Sequence, residues 1–421
     1  MKKVLAYLHG DKIMWALVIL LALFSFLPVY SASTNLVYTV GTGKETGYYL
    51  IKHFVHLIAG FSLMWLMHKV SYRYFRQIAI IGMPFVVLLL VYTLTRSNTI
   101  NGANASRWIT VPIIGQFQPS SLAAIFLLIY VAQYLTSIKD EIVEWWPSFW
   151  QLWVPAGIVV VLILPANFST AAVIFFMVCI LMFIGNYPKK YLASVILSGI
   201  VFVGLFVVIA KAYPGVFPNR VDTWISRIDR FAGPDDGTKD LYQVENAKIA
   251  IAQGGLVGVG PGKSIQKNFL PQSSSDFIYA IIVEEYGIGI GVFVLMLYLG
   301  LFYRFIIAAH KAPTLFGKLL VTGLGFYLIF QALINMGVAV SLLPTTGQAL
   351  PLISSGGTAI LMSCFSVGAI LSVTKKESEI HKEEQEKLEQ SDKTQEMVAR
   401  FYEERIEKER EATATGTEGI I

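Results

Sequence analysis

Ten stretches of this chain are apolar for long enough to cross a bilayer, and that fixes its fold class before any motif is considered. A helical span takes about 17–25 residues. The stretches lie near Ile13–Tyr30, Tyr49–His68, Ile78–Thr95, Ser121–Leu135, Trp150–Leu164, Ala171–Gly185, Leu192–Ala210, Phe277–Tyr303, Leu319–Val338 and Thr358–Val373. The fourth to sixth are short, and Pro165–Thr170 leaves room only for a tight turn. The expected fold is an all-α polytopic membrane protein of ten transmembrane helices. Composition agrees: 55% of the 421 residues are hydrophobic and 14% charged, where a soluble domain carries about 25% charged. A cytosolic enzyme, a secreted disulfide scaffold and a disordered protein are excluded. Cys179 and Cys364 both sit in apolar runs, so neither a disulfide nor a metal site is expected. The start, MKKVLAYLHGDKIMWALVILLALF, has the basic end and apolar stretch of a signal peptide. Further spans follow at once, so it reads as an uncleaved first helix.

Charge sets the orientation. With the N-terminus inside, the short cytoplasmic segments hold twelve Lys and Arg, against three (Lys44, Arg96, Arg107) in the short outer loops. The positive-inside rule then places both termini in the cytoplasm. From Lys375 to Ile421 the chain has nine basic and fourteen acidic residues, a net of −5. This tail is a solvated, partly helical extension with Glu and Lys at helical spacing. The chain therefore divides into a membrane domain, 1–374, and a charged cytoplasmic tail, 375–421. Its basic residues mark loops and lipid headgroups, not nucleic acid.

One large extracytoplasmic loop, 211–275, joins the seventh and eighth spans. It carries Arg220, Arg227, Lys263 and Lys267 among its cations, and Leu241–Gln253 within it has a helical pattern, followed by an irregular Gly254–Gly262. Gly258–Ser264 looks like a phosphate loop, but the spacing fails: Val257 stands where the nucleotide motif needs its first Gly. An ATPase is rejected. A Gly-rich cationic loop can still hold a pyrophosphate through backbone N–H groups and Lys263.

Asp276 falls where the large loop enters the eighth span. It is either a simple helix cap, favoured by the dipole, or a functional acid at the membrane boundary. Glu284 and Glu285 lie roughly 12 Å deeper at ~1.5 Å per residue. Acids at that depth need a partner or water. The simpler reading is a buried structural pair with Lys52 or Arg107 as partner; the other is a polar path through the bundle.

Several spaced motifs resemble the SEDS family (shape, elongation, division and sporulation). They are Arg107-Trp108-Ile109 with Gln118-Pro119-Ser120; Arg227-Ile228 with Tyr242-Gln243; Ala250 through Gly260; Leu270-Pro271 followed by Asp276-Phe277-Ile278; Glu284-Glu285 with Gly287; and Leu343 through Gly347 with Leu350-Pro351 and Ser354-Ser355-Gly356-Gly357. The resemblance spans about Ile13 to Val373. It implies a peptidoglycan glycosyltransferase that polymerises lipid II in the bacterial inner membrane and releases undecaprenyl pyrophosphate. Asp276 matches the family's essential acid and is expected to be the general base. Arg107, Arg220, Arg227, Lys263 and Lys267 are the expected cations for the pyrophosphate and headgroup, with Lys52, Glu284 and Glu285 as polar support within the membrane. The Pro-Thr-Thr-Gly and Leu-Pro-Leu-Ile-Ser pattern is closer to the division branch than to the elongation branch. Expected partners are a class B penicillin-binding protein, other division proteins at the septum, and membrane lipids.

The sequence departs from the family at Ser121 and Ala124, where Glu and Lys are usual, and at Asn167, Gln272 and Ser355, where Asp, an acid and Tyr are usual. No cofactor is implied by the residues themselves, and Mg²⁺ or Mn²⁺ remains an expectation of the resemblance alone. Two other functions are consistent with the residues: a lipid II flippase using Lys52, Glu284 and Glu285 as a polar path, and a non-catalytic scaffold for the transpeptidase.

Overall fold

The structure, a computed structural model, describes residues 9–39, 46–95, 99–100, 103–104, 108–111, 115–212, 239–270, 273–375 and 397. Within the compact body Asp11–Thr374, the described helices are α1 Lys12–Thr39, α2 Thr46–Lys69, α3 Phe75–Thr95, α4 Pro119–Ser137, α5 Trp145–Ile163, α6 Phe168–Ile184, α7 Lys189–Ala212, α8 Lys239–Gly254, α9 Ile278–Lys311, α10 Leu315–Ala339 and α11 Gly357–Val373. Each of the ten expected apolar stretches lies inside a described helix with at most one residue beyond its end, the helices themselves running up to nine residues further, and α8 covers the helical pattern at Leu241–Gln253. Seven helices (α1 to α5, α9 and α10) are long and apolar enough to cross a membrane, and α6 and α11 are shorter apolar helices. The all-α expectation needs one amendment. Between α3 and α4 the chain forms two short antiparallel pairs, β1 Thr99–Ile100 with β2 Ala103–Asn104, and β3 Ile109–Val111 with β4 Gly115–Phe117.

The side chains facing outward are those a bilayer accepts. Ile51, Ile81, Leu88 and Ile200 are each exposed by 65% or more. Their helices satisfy the backbone internally, which is the condition for standing in lipid. Inside, small residues allow close approach of helices. A Cβ on Gly60 would meet Cys364, and one on Gly368 would meet the Met64 carbonyl, so α2 and α11 pack nearly backbone to backbone. Asp11 ties one end of the bundle together. Its Oδ1 accepts from Ile13 N and Met14 N at the start of α1, its Oδ2 accepts from Arg304 Nε on α9 at 2.9 Å, and its own N–H donates to Thr374 Oγ1. Asn167 caps α6 by accepting from Thr170 N, which forms the tight turn expected after α5.

The eighth span is not one continuous helix. Gly287 has φ 80° and ψ 170°, so α9 breaks there into an N-terminal piece and a long remainder. The segment after α8 folds into this break. Val259 N and Gly260 N donate to the carbonyls of Glu284 and Glu285, and Ile288 N donates back to Gly255 O. The two glutamates are buried at 0% and 1% exposure, and they take their partners from the same segment and from Ser31 on α1. Glu284 accepts from Ile265 N, Gln266 N and Ser264 Oγ. Glu285 accepts from Ser264 N and Ser31 Oγ. Lys52, expected as a partner, lines the cavity described below instead, and Arg107 lies outside the described residues; loop amides, Ser264 and Ser31 on α1 fill the role, because the break in α9 brings the loop to the acids. Glu284→Ala strands three donors, each worth about 1–3 kcal/mol when left unsatisfied. It is expected to lower the melting temperature of the purified protein strongly, with Glu284→Gln intermediate.

Candidate active site

A cavity of about 360 Å³ opens at one end of the bundle, and Asp276 lines it. The topology puts that end opposite the Asp11–Arg304 clamp. Its walls come from the second half of α1, the middle of α10, the first half of α2, the first turns of α4 and α6, α11 from its start to its middle, the β4–α4 segment, the residues just before α9, and the loop before α11. Lys52, His53 and His56 enter from α2, and Trp108, Gln116 and Gln118 from the hairpin region.

Asp276 is not the helix cap. Phe277 holds the boundary and Ile278 begins α9. Its place is set by backbone bonds from two sides. Asn335 Nδ2 donates at 2.8 Å both to Asp276 O and to Gln348 O. Ser354 Oγ donates to Ser275 O at 2.6 Å and accepts from Leu350 N, while Ser355 N and Oγ both donate to Ser274 O at 3.0 Å. The loop rich in Pro, Thr, Ser and Gly thus serves as a brace for the residues leading into Asp276. Gln348 Nε2 carries the brace across to Thr170 Oγ1 on α6 at 2.8 Å. Thr358 Oγ1 donates to Gln116 O and accepts from Gln118 N, docking the hairpin on the start of α11.

The electrostatics favour an anion. The N-termini of α4, α6 and α11 present residues to the cavity, and helix N-termini carry partial positive charge and free N–H groups. Lys52 adds a full charge. Asp276 is the one carboxylate among the described residues lining the cavity. The described residues hold no group of three or more His, Cys, Asp or Glu able to bind a metal. One carboxylate in a cavity also lined by a lysine does not fit a protein-held Mg²⁺ or Mn²⁺, which favours several oxygen ligands. No step is derived through one.

The expected site residues separate. Asp276 and Lys52 both line the cavity; Glu284, Glu285 and Lys267 gather in the α9 break. Lys267 is only 8% exposed, with Nζ donating to Gly262 O at 2.7 Å and to Ser31 Oγ at 3.2 Å. Its expected contact with a headgroup is corrected: the amine is engaged in holding the loop to α1. Lys263 is exposed and lines no part of the cavity. The pyrophosphate nest expected at Gly258–Ser264 is corrected likewise, because the amides of Val259, Gly260 and Ser264 are committed to α9. Arg107, Arg220, Arg227 and Gln272 lie outside the described residues. Two of the departures from the family pattern, Ser121 and Ser355, line the cavity.

His53 and His56 stand in the wall, with His53 Nε2 2.8 Å from Ser25 Oγ. Gln331 and Asn335 are further residues that sequence reasoning missed. Both are amides four residues apart on an otherwise apolar span, and that spacing on one helix face was the available signal.

The comparisons with known proteins agree with this architecture. Residues 11–379 match the family model FTSW_RODA_SPOVE, described as cell cycle protein. A probable peptidoglycan glycosyltransferase FtsW from Geobacter sp. (strain M18) is 32% identical over 374 residues, covering 86% of this chain and 96% of that protein. The protein of the same description from Coxiella burnetii is 30% identical, covering 85% and 95%. Among solved structures, a chain from a study of structural coordination of polymerization and crosslinking by a peptidoglycan synthase complex superposes with a TM-score of 0.64 at 25% identity, covering 87% of this chain and 97% of that one. Thermus thermophilus RodA, a rod shape determining protein, gives 0.60 at 25% identity, covering 87% and 96%.

Proposed function

The chain belongs to the FTSW_RODA_SPOVE family of cell cycle proteins, and from that premise we propose that it is a peptidoglycan glycosyltransferase of the division type, polymerising lipid II at the outer face of the bacterial inner membrane. The observation that carries the reading is the position of Asp276: a braced carboxylate in a cavity at the end of the bundle opposite the Asp11–Arg304 clamp. The volume lies within the range of small-molecule sites, about 300–1,000 Å³.

In the reaction we propose, the Asp276 carboxylate takes the proton of the acceptor sugar's 4-hydroxyl. That oxygen bonds to the donor's anomeric carbon, and the bond from this carbon to the diphosphate oxygen breaks with its electron pair. The product is a lengthened glycan and undecaprenyl pyrophosphate. Negative charge grows on the leaving diphosphate, where Lys52 and the converging helix N-termini stabilise it. General-base help of this kind supplies roughly 10²–10⁴ in rate.

Ten spanning helices with both termini cytoplasmic fit the charge bias, with Lys12, Lys69, Arg73, Arg76, Lys189, Lys190, Arg304, Lys311 and Lys318 at the end opposite the cavity. The segment 211–275 is then extracytoplasmic and 375–421 cytoplasmic. The partner is a class B penicillin-binding protein at the division septum, its membrane helix lying against the exposed apolar side of α9 and α10, where Val292, Phe293, Met296 and Leu333 face outward. Sided vesicles test the function against its rivals. Lipid II supplied only on the extracytoplasmic face should yield glycan polymer. Movement of labelled lipid II across the bilayer without polymer would identify a flippase. A protein with neither activity whose Asp276 variants still support division would be a scaffold.

A further inference from the structure

At the end of the bundle away from Asp276, α3, α4 and the start of α10 enclose a groove of about 560 Å³. Arg73, Arg76, Gln77, Gln133 and Thr136 supply its polar lining, and none of its lining residues is acidic. Arg76 is held in place: its Nε donates to Gln133 Oε1, and its guanidinium lies 5.7 Å from the Phe316 ring centroid. The terminal Nη groups of Arg76 and the exposed Arg73 have no carboxylate partner among the described residues. An oriented guanidinium with its outer donors unfilled is suited to a planar oxyanion such as phosphate. Directly along α3 from Gln77, the side chains of Ile81, Phe85 and Leu88 form one outward face, exposed by 75%, 57% and 68%.

We propose that this groove binds an anionic phospholipid of the leaflet opposite the cavity. The phosphodiester sits between Arg73 and Arg76, Gln77 and Gln133 contact the headgroup, and an acyl chain follows Ile81, Phe85 and Leu88 toward the bilayer centre. The apolar face continuing from the cationic groove favours a lipid over an acidic peptide, which has no chain to lay along it. Basic pockets between membrane helices on the cytoplasmic side suit such headgroups. The inference rests on the helices spanning a bilayer and is independent of the reaction assigned to Asp276.

Native mass spectrometry of the full-length protein with added phosphatidylglycerol or phosphatidylcholine tests it. Wild type should retain phosphatidylglycerol preferentially, and Arg73→Gln/Arg76→Gln should lose about tenfold or more of that preference. Lys318→Gln, which removes an exposed charge at the same end but outside the groove, should behave as wild type. If the double variant fails to fold, Arg73→Gln alone, on an exposed side chain, gives the same comparison with a smaller loss. Equal retention of both lipids by wild type, or unchanged preference in the arginine variants, would overturn the proposal. A photoreactive residue replacing Gln77 in cells should capture phospholipid; capture of a peptide from residues 376–421 or of another protein instead would also overturn it.

Discussion

Asp276→Asn is expected to reduce lipid II polymerisation by a factor of roughly 10²–10⁴, equivalent to about 3–5 kcal/mol of barrier, while the protein folds as wild type. Asparagine keeps the size and polarity of the side chain but cannot accept the hydroxyl proton. The backbone at this position is held independently of the carboxylate: Asp276 O by Asn335, and the carbonyls of Ser274 and Ser275 by Ser355 and Ser354. A single-turnover assay with purified lipid II measures the loss, and an unchanged melting temperature establishes that the protein is intact. A variant polymerising within a few-fold of wild type would remove Asp276 as the base.

The second large effect is on folding. Gly287→Ala should leave little folded protein. At φ 80° and ψ 170° an alanine is strained by about 1–3 kcal/mol. Its Cβ would also fall on the backbone of Leu256 and within 2.6 Å of Val257 C, atoms that cannot rotate away. Overpacking adds roughly 1–3 kcal/mol more. Together these consume a large share of the about 5–15 kcal/mol that holds a typical fold. Gly254, ending α8, and Gly258 in the loop face the same helix, where a Cβ would meet the carbonyls of Val283 and Glu285. The three glycines interlock the loop with α9. Gly289→Ala is the control. Only Leu256 O, at 3.8 Å, is near its Cβ, so expression and melting should match wild type. Fluorescence-detected size-exclusion chromatography separates the two results.

The helices were legible because long apolar runs leave a chain few alternatives, and the cap at Asn167 and the turn before it follow from local residues. The break in α9 was not. Gly287 lies in an apolar run where a glycine is ordinarily tolerated, and only the loop folded against it, some thirty residues earlier in the chain, makes its conformation necessary. The same long-range packing hid the fate of Lys267. As a residue of a loop it looked like a solvated cation available to an anion; it instead reaches Ser31, 236 positions away in sequence. Asp276 was singled out through the motif around it, whereas its brace was not, because Asn335 acts on the backbone carbonyls of Asp276 and Gln348 and Gln348 on the Thr170 hydroxyl, all distant in the chain. The motif loop before α11 was visible in the sequence, but its role as a wall appears only when α9, α10 and α11 are assembled.

If Asp276 is the base for a glycolipid acceptor, its cavity must open to the extracytoplasmic side and receive the glycolipid head. Ala359→Cys places a thiol in the cavity wall without removing a hydrogen-bonding side chain, and the native Cys179 and Cys364 are buried. In intact cells a membrane-impermeant maleimide should label this cysteine from outside, bound lipid II should slow the labelling, and the labelled protein should stop making polymer. Labelling only after the cytoplasmic face is exposed, or full polymerisation by the labelled protein, would contradict the account.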